Sequence, residues 1–378
     1  MSQSAASSMP DGRQEPGMRG AIIGAVLALL IAPAWASPRE DMAGAYMRKD
    51  YKAAWALARP LADQNDEVAQ YLVGSMLRDG TGVAKDNFEA VQWLRKAAEQ
   101  GNVAAQCELG FLLAFGMGSM GNAEDARMWL KKAADAGYPT AYAHLGRLIR
   151  SDKVATPDPV AAVGLFRTGA AMGDPESQYQ LAGALRDGWG VPKDTVAAAD
   201  IYCAMTADPA QYECGKLVAM GLARDKDAKK GIANLARLAA IGNRAAQAEL
   251  GYYYLNGYYT DKNIAEGARL IALAAKQGSS SAQYTMGAMA ERGIGTAKDL
   301  KVALEWYEKA AEEGYAPALV AAGKLLEDGQ AGPPDLLKAM EYYRRAADLG
   351  NADAKTRWAA VYKRIPKASM PLDVRPPR

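Results

Sequence analysis

The stretch Trp93-Leu94-Arg95-Lys96-Ala97-Ala98-Glu99-Gln100-Gly101 returns as Trp129-Leu130-Lys131-Lys132-Ala133-Ala134-Asp135-Ala136-Gly137. It returns again as Trp306-Tyr307-Glu308-Lys309-Ala310-Ala311-Glu312-Glu313-Gly314 and as Tyr342-Tyr343-Arg344-Arg345-Ala346-Ala347-Asp348-Leu349-Gly350. The closing glycines are Gly101, Gly137, Gly173, Gly242, Gly278, Gly314 and Gly350. Each follows the last by 36 residues, except that Gly242 follows Gly173 by 69 and so conceals one altered copy. A second series, Gly74, Gly110, Gly146, Gly215, Gly251, Gly287 and Gly323, runs in step, with Ala182 at the vacant place. A fixed period of this size marks a repeat architecture.

Each unit therefore has two halves. The first reads Ala-Gln-x-x-Leu-Gly, as in Ala105–Gly110 and Ala246–Gly251, and the second ends in the Lys-Ala-Ala block. Both halves are predicted to be helices of three to four turns, with alanines such as Ala97, Ala98, Ala133 and Ala134 letting neighbours approach closely. The turn Gly80-Thr81-Gly82-Val83 separates the halves and recurs at Gly188-Trp189-Gly190-Val191 and Gly293-Ile294-Gly295. Asp86 with Glu89 has the spacing of a capping box for the second helix. One helix pair cannot bury its apolar face alone, whereas stacked pairs share a continuous core.

The pattern Ala-x-x-x-Leu-Gly, Gly-x-Gly-Val, Asp, then Ala-x-x-Trp-x-x-Lys-Ala-Ala-x-x-Gly resembles the Sel1-like repeat (SLR) family, a relative of the tetratricopeptide (TPR) repeats. Residues 67–101 and 280–315 carry it best, 103–138, 244–279 and 316–351 moderately, and 139–174 and 175–243 in degraded form. The resemblance implies an all-α fold, a right-handed α-solenoid of stacked antiparallel helix pairs forming a TPR-like superhelix with a concave inner face. It spans about 300 residues and names no partner.

The expected organisation has five parts: a secretory signal peptide over 1–36, capping helices over 37–66, eight repeats over 67–351 with 175–243 degenerate, a capping helix over 352–365, and a Pro-rich basic tail over 366–378. Arg19, the apolar run Ala21 to Ile31 and the small-residue site Ala34-Trp35-Ala36 supply the three parts of a signal peptide, with Met18 as an alternative start. An uncleaved anchor is the other reading of that run. No cysteine lies near the cleavage site, so a lipid anchor is not indicated. The expected location is periplasmic or secreted, with no stable transmembrane segment after cleavage.

With 45 basic and 43 acidic residues the net charge is +2, which gives no electrostatic reason to expect nucleic acid. No catalytic, cofactor or metal site is predicted: the single histidine, His144, and three dispersed cysteines cannot form a zinc site. His144 reads as a surface or groove residue, and Glu312 with Glu313 as solvated surface. The Gly-x-Gly turns lack the strand before and the Lys-Ser/Thr after that a phosphate loop requires. Cys203 and Cys214 fall at similar heights on two sides of a helix hairpin, where Asp208 replaces the closing glycine. They are either a disulfide or two small core residues that never meet. Cys107 reads as a half-buried free thiol.

Trp93, Trp129 and Trp306 share one repeat position and read as packing. Tyr252, Tyr253, Tyr254, Tyr258 and Tyr259 are a density that the repeat does not require. They suit a protein interface or sugar stacking, or they fill the core where Gly257 has lost its partner glycine. Gln70, Gln106, Gln178, Gln211, Gln247 and Gln283 form a row that offers either a polar groove or helix-to-helix hydrogen bonds. Exported members of the family serve envelope assemblies, exopolysaccharide export and envelope signalling. The resemblance thus implies a scaffold for protein partners of the cell envelope. A carbohydrate-binding module of a polysaccharide system is the alternative, and an enzyme without a visible catalytic constellation the second alternative.

Overall fold

In the computed structural model, residues 37–118, 121–151 and 156–366 are described. The signal-peptide segment and the tail beyond Pro366 lie outside them. The chain divides into two compact units, residues 1–201 and 202–378. Among the described residues every regular element is a helix.

The first unit opens with α1 (Pro38–Met47) and α2 (Tyr51–Asp63). Three helix pairs follow: α3 (Glu67–Asp79) with α4 (Asn87–Glu99), α5 (Val103–Phe115) with α6 (Ala123–Asp135), and α7 (Pro139–Arg150) with α8 (Pro159–Ala171). Helix α9 (Pro175–Asp187) follows, and the boundary between the units falls within α10 (Thr195–Ala204). The second unit continues with α11 (Asp208–Ala219) and α12 (Ala228–Ala240), α13 (Arg244–Asn256) and α14 (Ile264–Lys276), α15 (Ser280–Arg292) and α16 (Leu300–Glu312), α17 (Ala316–Asp328) and α18 (Leu336–Asp348). Helix α19 (Ala352–Arg364) closes it. Consecutive helices pack on one another from α1 to α9 in the first unit and from α11 to α19 in the second, the arrangement of an α-solenoid.

Local chemistry sets the helix ends. Side-chain oxygens of Asp66, Asn102, Asp158 and Asp174 accept the backbone N–H groups of Ala69, Ala105, Ala161 and Ser177 at 2.7–2.9 Å. Asn243 and Asn351 do the same for Ala246 and Ala354 in the second unit. Replacing such a cap by alanine costs about 1 kcal/mol. The Asp86 carboxylate accepts from Glu89 N at 2.9 Å. The expected capping box is nonetheless only half made, because the Glu89 carboxylate accepts Arg59 Nη1 at 2.9 Å and Trp93 Nε1 at 3.1 Å. First helices end on left-handed glycines, Gly80, Gly116 and Gly188 in one unit and Gly257, Gly293 and Gly329 in the other.

The mid-helix glycines answer to packing. A Cβ on Gly74 or Gly110 would lie 2.7 or 2.6 Å from Leu94 or Leu130 of the paired helix. On Gly287 and Gly323 it would lie 2.5 and 2.7 Å from the rings of Tyr307 and Tyr343. Buried alanines such as Ala97, Ala98, Ala310 and Ala311 complete this close contact. The cores are runs of such layers, from Met42 through Leu94 and Leu130 to Leu148 in the first unit, and through Tyr307, Leu319 and Tyr343 to Val361 in the second.

Candidate functional site

The glutamine row is engaged within the fold. The side-chain amides of Gln70, Gln106, Gln247 and Gln283 donate to the carbonyls of Ala62, Ala98, Ala239 and Ala275, each eight residues back, at 3.0–3.4 Å. Gln211 reaches the Met205 carbonyl at 2.6 Å. Five first helices, α3, α5, α11, α13 and α15, thereby cap the end of the preceding helix or the turn after it. Gln106 and Gln247 are buried, so their amides do not line an open groove. Gln100 and Gln277 extend the motif by donating to Gln70 and Gln247 at 2.7 Å.

The tryptophan position is structural, as its repetition implies. Trp93 and Trp129 are buried, and Lys96, Lys132 and Lys309 place their ammonium groups 4.0, 4.2 and 4.4 Å over Trp93, Trp129 and Trp306. The lysine of the Lys-Ala-Ala block therefore covers the ring one turn before it.

The first unit contains a buried ionic cluster that sequence reasoning missed. Glu108 accepts Tyr71 Oη and Ser75 Oγ at 2.9 Å each and pairs with Arg78 Nη1 at 2.6 Å. Arg78 also holds Asp79 through two bonds of 2.8 and 2.9 Å. The Glu108 and Arg78 side chains are only 5% and 7% exposed, so the charges satisfy one another away from water. Polar residues recur at both repeat positions, as at Arg150, Arg186, Glu213 and Glu249, so nothing in one unit marks Arg78 and Glu108, whose meeting spans two repeats.

Two other expectations are corrected here. His144 is buried, 4.7 Å from the Phe111 ring, because the first helix turns this position toward its neighbour. Burial, with lesser repulsion from Arg147 and Arg78, holds its pKa down at about 3, so the ring is neutral. Cys107 is fully buried rather than half-buried, and burial pushes its thiol pKa well up.

In the second unit Cys203 and Cys214 are bonded to each other, with Cα atoms 5.0 Å apart. Helix α10 has 10 residues where other second helices have 13, so it lacks almost a turn. Asp208 opens α11 and does not close α10. The bond ties the shortened helix to its successor.

The five tyrosines divide by role. Tyr253 is buried in the core and Tyr254 is half-buried against it, whereas Tyr252, Tyr258 and Tyr259 are 46%, 48% and 45% exposed. Tyr259 has a left-handed backbone, φ 60°, at the turn position that Gly82, Gly118, Gly190 and Gly295 occupy elsewhere with φ of 66–78°. A side chain there costs roughly 1–2 kcal/mol. Glu249, one turn before Tyr252, accepts the Tyr212 hydroxyl at 3.2 Å.

One first-helix position varies in chemistry from unit to unit: Ser75, Phe111, Arg147, Gly183, Lys216, Tyr252, Ala288 and Lys324 occupy it, and all but the buried Ser75 are half-buried or exposed. Among the described residues no group of three or more His, Cys, Asp or Glu side chains could hold a metal ion. Nor is any described helix long and apolar enough to cross a membrane.

Stacked helix pairs, left-handed glycine ends and a varied first-helix row define an SLR-type helical solenoid. The chain belongs to the Sel1 repeat family: Sel1 repeats match residues 68–102, 103–138, 139–174, 175–203, 208–243, 244–279, 280–315 and 316–351. The chain is similar to c5321, a protective antigen present in uropathogenic Escherichia coli strains displaying an SLR fold. Identity is 28% and the TM-score 0.56, over 82% of this chain and 68% of that one. It is also similar to a Sel1 repeat protein from Oxalobacter formigenes, with 26% identity and a TM-score of 0.53, over 85% of this chain and 97% of that one. No curated protein matches it significantly. Sel1 repeat proteins are generally non-catalytic scaffolds for protein interactions.

Proposed function

We propose that the chain is an exported scaffold that binds a protein partner of a cell-envelope complex through its row of first helices. The observation that carries this reading is the variable position at Phe111, Arg147, Lys216, Tyr252 and Lys324 on otherwise repetitive helices. A repeat array fixes its packing residues and leaves its binding residues free to differ. Export rests on the signal-peptide pattern of residues 19–36 and is favoured by the Cys203–Cys214 bond, which suits an oxidising compartment. Chemical crosslinking in intact cells, followed by capture of the chain from the periplasmic extract, tests both parts. A reproducible envelope protein in the adduct is expected. Absence of the chain from the periplasmic and secreted fractions removes the export reading, and a chain recovered without adducts removes the partner.

The exposed rings of Tyr252, Tyr258 and Tyr259 also admit a carbohydrate-binding module. Their mutual tilts of 49–52° disfavour it, since a sugar face stacks best on a flat shelf. Polysaccharide binding that survives alanine at all three tyrosines would remove this second reading.

A further inference from the structure

One aromatic of the second unit has lost the cover that its counterparts keep. Trp93, Trp129, Trp306 and Tyr342 share a place on the second helices, and all are buried except Trp306, which is half-buried. At Trp93 the cover is an ion pair. Arg59 of α2 sits 4.9 Å over the ring and bonds to Glu89 at 2.9 Å, while Glu89 also accepts the Trp93 indole N–H at 3.1 Å. At Tyr342 the pair is reversed in sign: Glu308 meets Lys338 at 2.6 Å and accepts the Tyr342 hydroxyl. Arg95 and Asp125 hold the same two positions in the unit of Trp129. In the unit of Trp306 these two positions are Ala272 and Val302.

The result is an open cleft of about 550 Å³ whose walls include Ala268, Ala272, Met286, Met289, Val302 and Trp306. Lys309 still lies 4.4 Å over the Trp306 ring, as Lys96 does over Trp93, but among the described residues no arginine of α14 joins it as Arg59 joins Lys96. The Trp306 indole N–H has no acceptor among the described residues, because valine stands one turn before it where Trp93 has Glu89. The charges at the rim are engaged. Arg269 donates twice to Glu266 at 2.6 and 2.7 Å, and the Asp299 carboxylate accepts the backbone N–H groups of Lys301 and Val302. The cleft therefore suits an apolar group set against the ring together with an acceptor for the indole, and it offers no counter-charge.

We propose that this cleft binds a segment of a protein partner that sets one uncharged aliphatic side chain, leucine-like in size, against Trp306 and turns a backbone carbonyl to its indole N–H. A peptide supplies both parts within one residue. An acyl chain carries no acceptor along its length, and a sugar carries no aliphatic side chain. A charged side chain is disfavoured, because neither Ala272 nor Val302 can pair with it, whereas the charged covers of Trp93 and Tyr342 come with their counter-ions. An aliphatic group there leaves water for the ring and the two methionines, which adapt to its shape. The cleft lies on second helices and is separate from the first-helix row of Phe111 to Lys324, so either surface can fail without the other.

The full chain with isotope-labelled tryptophan, titrated with N-acetyl-leucine methylamide and followed by NMR, tests the assignment. Trp306→Tyr identifies the resonance by its loss. A saturable downfield shift of the Trp306 indole N–H is expected. Affinity should be at least about fivefold weaker for N-acetyl-lysine methylamide, and should fall as much in an Ala272→Arg, Val302→Glu double variant, which supplies the cover that Arg59 and Glu89 give Trp93. Circular dichroism separates a filled cleft from lost folding. Ala272→Leu fills the cleft without adding charge, should weaken binding likewise, and decides the matter if the double variant unfolds. No saturable shift, equal affinity for the lysine probe, or binding undiminished in a folded variant would overturn the proposal. So would tighter binding of decanoate below its micelle concentration, which would mark an acyl site.

Discussion

A Cβ on Gly287 would stand 2.5 Å from Cδ1 of Tyr307, the side chain that the second helix of the same pair lays across it. Alanine ordinarily stabilises a mid-helix glycine position by about 1 kcal/mol. Here the sign reverses, because the ring cannot retreat from a buried layer. Gly287→Ala is expected to lose about 1–3 kcal/mol, read as a lower urea midpoint at an unchanged slope. Gly101→Ala is a control without a clash, since nothing lies within 4 Å of that site, and its left-handed φ of 94° supplies the only penalty.

The buried Arg78–Glu108 pair makes a different demand. Glu108→Leu removes the buried partner of the Arg78 guanidinium, leaving it Asp79, and removes the acceptor of Tyr71 and Ser75. A loss of about 3–5 kcal/mol in chemical unfolding is expected. The double variant Arg78→Met, Glu108→Leu should recover most of it, because two apolar groups need no partner. Equal losses in the single and double variants would show that the charge was not the cause.

His144, the only histidine, gives an isolated pH signal. Its folded pKa is held at about 3 by burial, while the unfolded chain takes up the proton near 6.5. The unfolded state therefore binds more protons below pH 6.5, and stability falls with pH until the folded pKa is reached. From pH 6.5 to 5, above most carboxylate titrations, the slope should steepen from about 0.7 toward about 1.4 kcal/mol per pH unit. His144→Leu is expected to flatten the stability–pH curve in that window. A His144 imidazole that titrates near 6.5 in the folded protein by NMR would contradict this.

The Cys203–Cys214 bond closes a sequence separation of 11 residues. A loop of that size corresponds to about 3 kcal/mol in the chain-entropy description. Mass mapping of the non-reduced protein should find the linked peptides. Cys203→Ser with Cys214→Ser should lower stability by that order and increase hydrogen exchange first in α10 and α11. Free thiols at both positions would remove the staple.

Much of the fold was legible because a solenoid repeats its local rules. The Gly101 series marks where second helices end, the Gly80-type turns where first helices end, and the Gly74 series the close-packed layer, as Gly287 against Tyr307 illustrates. The candidate surface was legible only in part. Tyr252 to Tyr259 stand out by composition, yet which rings face solvent depends on where α13 ends and how its turn is shaped. That separates buried Tyr253 from exposed Tyr252, its neighbour in sequence. The glutamines looked equally fit for a groove or for capping, and the choice depends on the distance between successive repeats. His144 and Glu108 occupy the same repeat position, one neutral and tilted against Phe111, the other paired with Arg78. Only contacts between repeats distinguish those two environments.

The central functional claim is that partners bind along the first helices. A photoreactive residue introduced in turn at Arg147, Lys216 and Lys324 on first helices tests it when compared with Lys96 and Lys131 on second helices, in intact cells. Adducts to one and the same envelope protein are expected from the first-helix positions and not from the second-helix positions. Adducts confined to Lys96 and Lys131, or none from any position while the chain is present in the envelope fraction, would contradict it.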